Sequence, residues 1–282
     1  MYKIQSTISQ KITFSGIGLH SGQPVKITLL PEGPNKGIGF LYNSKKIKAL
    51  WKNAEISQLC TKIKKNKLFI STIEHLMSAL FGLGITNLTI KTNSSEIPIL
   101  DGSAKDYIDH ILKLGVKKQN TKNKVIKIKK KVSYQKENKF IGIYPNEDNK
   151  LIIDYSIDYK DEYIKKQKYI YVHSFENYQK IYLARTFCLH KDLEKIFAMG
   201  LAKGGTLDNA IVVSGNKILN QGGLRYKNEF VKHKVLDCIG DLYLSGYKIN
   251  GNVICKEGGH EMNLMLLKEI FKNQDNYEII DA

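Results

Sequence analysis

With 282 residues, 42% apolar and 25% charged, the chain is long enough for about two domain-sized cores, and this composition excludes a disordered or membrane-spanning protein. The formal charge is +17, yet of 44 basic residues only Arg185 and Arg225 are arginine, which weakens a nucleic-acid reading because base and phosphate recognition favours the guanidinium fork. The lysines are scattered as on solvated faces, and their excess leaves attraction to an anionic ligand, or transient contact with an acidic membrane surface, as the use for the charge.

The N-terminus, MYKIQSTISQK, has no apolar run of the kind a secretion signal needs, so a cytoplasmic protein is expected. The longest apolar stretch, Leu76–Ile85, is broken by Ser78, Gly82 and Gly84 and is about half of the ~20 residues a membrane span requires. Cys60, Cys188, Cys238 and Cys255 form no CxxC pair, which fits free thiols in a reducing compartment rather than a thiolate metal cluster.

In chain order, residues 11–30 alternate, turn through glycines and alternate again, which predicts a hairpin; short strands follow over 35–70. Ser71-Thr72-Ile73-Glu74 has the S-x-x-E spacing of a capping box, opening a helix through about Phe81. GLGITN then turns into the strand LTIKT, and EIPILDGSAKDYIDHILKLG ends a strand, turns at Asp101-Gly102 and starts a helix capped by Ser103. The lysine- and asparagine-rich stretch 117–124 is the expected domain join. Beyond it, strands are predicted over 125–134, 139–144 and 151–158, a helix near 174, a long helix over Glu229–Ser245, a strand over 247–255 and a last helix over 261–272. HLMSALFGLGITNLTI (75–90) and HKVLDCIGDLYLSGYKINGNVI (233–254) share a plan of helix, glycine turn and strand. The expected fold is α+β: two domains of related topology, 1–121 and 122–282, each a sheet packed on helices.

The chemistry concentrates in the long helix. His233, Asp237 and Asp241 stand at i, i+4 and i+8, one polar stripe on a helix otherwise carrying Val231, Val235, Leu236, Ile239 and Leu242. A His-x3-Asp pair can hold a metal ion through imidazole and carboxylate, but a catalytic zinc usually takes three protein ligands, so a third must come from elsewhere. His75, in the first turn of the matching helix and preceded by Glu74, is the natural candidate. His260, in the glycine turn of KEGGHEMN, could present an imidazole to a cleft as a general acid.

GIGLHSG (16–22), STIEHLMSALFGLGITN (71–87), EIPILDGSA (96–104), ARTFC (184–188), GLAKGG (200–205), GLRYKNEFVKHKVLDCIGDLYL (223–244) and GGH (258–260) resemble, in order and over most of the chain, the signature segments of UDP-3-O-acyl-N-acetylglucosamine deacetylases. The resemblance implies two βα domains forming a two-layer sandwich around a zinc cleft, with an insert near 187–205, acting as a monomer in the cytoplasm at the committed step of lipid A synthesis. It implies His75, His233 and Asp237 as Zn2+ ligands, Glu74 as general base, His260 as general acid supported by Asp241, and Thr186 at the oxyanion. On the acylated UDP-sugar it implies Phe187 and Gly205 near the acyl and sugar sites, Lys234 facing the diphosphate and His20 at the cleft edge. Related proteins often carry a basic residue three before the GGH histidine, where this chain has Glu257.

Leu189, Leu193, Ile196 and Phe197 fall at i, i+4, i+7 and i+8, which predicts a short amphipathic helix. Such a stripe either packs on the core or, with Thr186 beside it and the Gly204-Gly205 turn allowing close approach to backbone, lines an acyl passage. Two other functions fit parts of the pattern: a metal-dependent amidase on another nucleotide sugar, and a basic RNA-binding sandwich using Tyr169 and Tyr171 as stacking residues, though alternating tyrosines are more often cross-strand packing pairs.

Overall fold

The computed structural model describes residues 3–160 and 163–282. Six α-helices organise the described residues: α1 (Glu74–Leu83), α2 (Lys105–Leu114), α3 (Phe175–Gln179), α4 (Leu193–Ala198), α5 (Glu229–Leu242) and α6 (His260–Lys272). The expected hairpin forms, with Ile12–Ile17 antiparallel to Pro24–Pro31. Those strands continue through Leu88–Thr92, Ile38–Tyr42 and Lys45–Lys48 into a five-stranded sheet. Val25, Ile27 and Leu29 are buried in alternation with exposed or half-buried neighbours, the period of two that places one sheet face on a core.

A seven-stranded sheet gathers the later strands around the nine-residue strand Lys248–Lys256. That strand pairs in parallel with Leu151–Asp158 and with Lys124–Ile128, and antiparallel with Lys139–Tyr144. Sheets packed on helices make the molecule α+β, as expected from the repeated plan of helix, glycine turn and strand. Tyr169 and Tyr171 stand opposite Tyr155 and Ile153, and Tyr171 is buried, so they act as cross-strand packing partners.

The stretch expected as the domain join carries a strand, residues 116–122, that pairs with Ile4–Ile8. Three local expectations are corrected. The strand expected over 125–134 breaks at Lys129–Lys131 into Lys124–Ile128 and Val132–Lys136. The capping box does not form: Ser71 ends a strand paired with Lys62, and its hydroxyl donates to the Ser95 carbonyl. Thr72 then turns the chain at φ 59°, an unusual conformation for a β-branched residue, and α1 starts without a side-chain cap. Finally, the Ser103 hydroxyl accepts from the Lys105 amide but is itself tied to Asp101, with Ala104 at the cap position.

The two halves meet where α1 lies along α5. Gly240 makes this possible: a Cβ there would fall 2.1 Å from the Glu74 carbonyl oxygen. Gly82 does the same for Tyr178, whose ring would be 2.3 Å from an added Cβ and whose hydroxyl lies 2.9 Å from that of Ser78. Backbone thus approaches backbone at the first turn of α1, where Glu74 and His75 sit.

Candidate active site

His75 from α1 and His233 and Asp237 from α5 converge at this contact, all three buried, with donor atoms within 4.8 Å of one another. Asp237 Oδ1 is 3.5 Å from His75 Nε2 and 3.3 Å from His233 Nε2. That oxygen is buried and has no hydrogen-bond partner among the described residues, an arrangement that costs free energy unless a cation completes it. The residues therefore fit a metal ion.

The electrostatics agree. Burial depresses the His233 pKa to about 3, keeping the imidazole neutral as a ligand must be. Its Nδ1 hydrogen bonds the Ala184 carbonyl at 3.0 Å, which turns Nε2 toward Asp237. Burial opposes ionisation of Asp237, but with His233 neutral the neighbouring Lys234 ammonium outweighs it and holds its pKa well below the usual carboxylate range. Lys234 Nζ donates to the other oxygen, Oδ2, at 2.7 Å.

Glu74 and His260 flank the triad, with His260 Nε2 3.8 Å from Glu74 Oε1. Burial raises the Glu74 pKa, and the Thr61 amide donates to Oε2. Burial would lower that of His260, but Asp241 and Glu74 outweigh it and raise it to about 9. His260 Nδ1 donates to Asp241 Oδ2 at 2.8 Å, so the imidazole is held charged with Nε2 toward the cleft.

A cavity of about 530 Å³ opens from this cluster and is lined by His20, Glu74, His75, Thr186, Phe187, Leu193, Gly205, His233, Lys234, Asp237 and His260. Asp241 lies behind His260, off its wall. Thr186, just before the strand Phe187–Leu189, is held through its backbone: its amide donates to the Gly102 carbonyl, and Gly102, at φ 81°, packs so tightly that a Cβ would meet the Asn209 carbonyl. The neighbouring Arg185 pairs with buried Glu229 at 2.9 Å, fixing this segment to the start of α5. Glu96 accepts from the amides of His20 and Ser21 and from the Thr72 hydroxyl, which shapes the loop presenting His20.

The apolar arm differs from its expected form. Leu189 belongs to a strand, Phe187–Leu189, pairing with Ile211–Val213, so the helix spans only Leu193–Ala198. No residue of α4 is buried; Leu193, Ile196 and Phe197 line the cavity instead of packing on the core. Gly204 makes its close approach to the Gly18 carbonyl rather than to a ligand position, docking this segment on the His20 loop, while Gly205 faces the cavity.

Sequence reasoning missed Glu96, Asn263 and Lys139. Asn263 Nδ2 donates to Asp241 Oδ2, and its place one turn after His260 on α6 was a usable signal. Lys139 lines the cavity; nothing in its strand pattern separated it from the other lysines.

The family model LpxC, UDP-3-O-acyl N-acetylglycosamine deacetylase, matches residues 5–272. The chain belongs to that family. Its members are metal-dependent deacetylases, in keeping with a cluster of His75, His233 and Asp237 that could hold a metal ion. The UDP-3-O-acyl-N-acetylglucosamine deacetylase of Campylobacter jejuni serotype O:6 is 42% identical over 98% of this chain and 94% of its own length. The proteins of the same name from Campylobacter hominis and Campylobacter fetus are 40% and 39% identical over the same shares. Among the described residues no helix is long and apolar enough to cross a membrane, which leaves β-barrels unaddressed.

Proposed function

We propose that the chain removes the N-acetyl group from UDP-3-O-acyl-N-acetylglucosamine in the cytoplasm, with Zn2+ on His75, His233 and Asp237. Buried Asp237 Oδ1, unpartnered between two imidazoles and flanked by Glu74 and His260, carries this reading. When bound, the ion supplies a Lewis acid that polarises the amide carbonyl and acidifies water. Glu74 accepts a proton from the attacking water through Oε1, the oxygen not tied to Thr61. Thr186 stabilises the oxyanion that develops on the carbonyl. His260, held charged by Asp241, delivers a proton to the departing amine, which is a poor leaving group otherwise.

The acyl chain would follow the arm lined by Leu193, Ile196 and Phe197, with Phe187 and Gly205 beside the sugar and His20 at the edge. For the diphosphate, Lys139 and Lys234 both line the cavity, and the Lys234 ammonium keeps two donors beside the one it gives to Asp237. Residues 1–121 and 122–282 are read as the two domains, and the enzyme as a monomer. The test is direct: purified protein should contain about one zinc per chain and release acetate from the acylated UDP-sugar. Full activity after exhaustive chelation would sink the metal assignment, and turnover only of another nucleotide sugar would sink the substrate.

A further inference from the structure

Thr61 touches both sides of the acid–base machinery. It lies in the loop just before the strand Lys62–Lys65 and is buried. Its amide donates to Glu74 Oε2 at 3.0 Å. Its hydroxyl donates to Asp241 Oδ1, and the Thr61 hydroxyl oxygen itself lies 3.1 Å from His260 Nδ1. The other Asp241 oxygen accepts from His260 Nδ1 and Asn263 Nδ2, each at 2.8 Å.

A buried carboxylate needs donors on both oxygens to stay in one rotamer. Here Oδ2 is claimed by the acid and by Asn263, so the orientation of Asp241 depends on the single donor at Oδ1. If that donor is lost, Asp241 can rotate about its terminal bond toward another partner, and His260 loses the anchor that aims Nε2 at the cleft. The backbone of the same residue sets Glu74, leaving Oε1 as its free oxygen. One residue therefore sets the separation of base and acid, a distance that proton transfer reads steeply.

We infer that Thr61 is a positioning residue for the deacetylation, its hydroxyl acting through Asp241 on His260. This rests on the acid–base roles proposed above for Glu74 and His260. Thr61 itself does not line the cavity, so a direct contact with substrate is not part of the inference.

The experiment is a double-mutant cycle with Thr61→Val, which keeps the shape and removes the hydroxyl, Thr61→Ser, which restores it, and His260→Ala. Melting temperature and zinc content accompany kinetics on the acylated UDP-sugar. Thr61→Val should lower kcat by ~10–100-fold with KM within about threefold and zinc retained. Thr61→Ser should recover kcat to within about threefold of the parent. In the His260→Ala background, Thr61→Val should cost less than about twofold, because the group it acts through is gone.

The inference is overturned by a Thr61→Val kcat within threefold of the parent, by a serine variant as impaired as the valine one, or by an equal loss with and without His260. Should Thr61→Val not fold, Thr61→Ala takes its place in the same cycle, with the same readings. A parent enzyme that does not deacetylate the substrate would instead fail the functional assignment beneath it.

Discussion

At the residue scale, the site is a set of charges held by burial and by one another. His233 is kept neutral and Asp237 ionised, which is the protonation pattern a metal needs before it binds. Substitution of His233 by Ala should therefore remove both the metal and at least ~100-fold of kcat/KM, read by elemental analysis beside acetate release; a variant that keeps stoichiometric metal would mean His233 is not a ligand. Glu74 and His260 make a different prediction, because neither is in the ligand triad. Glu74→Ala and His260→Ala should fold and hold metal yet lose at least ~100-fold in kcat. The signs of the pH profile follow from their roles. Glu74 must be ionised, so activity falls as pH drops through its raised pKa; His260 must be charged, so activity falls as pH rises through its own, which Asp241 and Glu74 lift. Each limb should vanish in the variant lacking its residue, and a profile unchanged in both variants would mean the roles are misassigned.

At the element scale, helix contacts decide where those charges meet. Gly240 is the contact that brings α5 against the first turn of α1. Gly240→Ala would place a methyl group 2.1 Å from the Glu74 carbonyl, and overpacking of this kind costs about 1–3 kcal/mol. A lower melting temperature with weaker metal retention is expected; a variant indistinguishable from the parent in both would show that the two helices can part freely. The arm along α4 makes the second prediction at this scale. Each buried methylene contributes about 0.8 kcal/mol, so UDP-N-acetylglucosamine without its acyl chain should be turned over at least ~10³-fold less efficiently. Leu193→Glu should narrow that gap while leaving the metal in place. Comparable kcat/KM for acylated and non-acylated sugars would remove the arm from substrate recognition.

At the scale of the whole molecule, the sites come from segments far apart in sequence, brought together by two helices with the same local pattern. The polar stripe His233, Asp237, Asp241 was legible from the spacing alone, since a helix of 3.6 residues per turn puts those three on one side whatever surrounds it. Glu74 and His75 were legible as neighbours on the matching helix, and the apolar run around α4 was legible as amphipathic. The same spacing misread the start of α1: a serine three residues before a glutamate looks like a capping box, but pairing of Ser71 with Lys62 and the turn at Thr72 assign the serine to a strand and free the carboxylate for the cleft. It also drew Leu189 into a helix that a parallel strand pairing with Ile211–Val213 claims instead. Local pattern determined which residues could share a face, because side-chain direction follows backbone period. Tertiary structure alone decided which faces meet, and that Thr61, a loop residue without any periodic signal, stands between the base and the acid, because those outcomes depend on contacts between segments up to 199 positions apart.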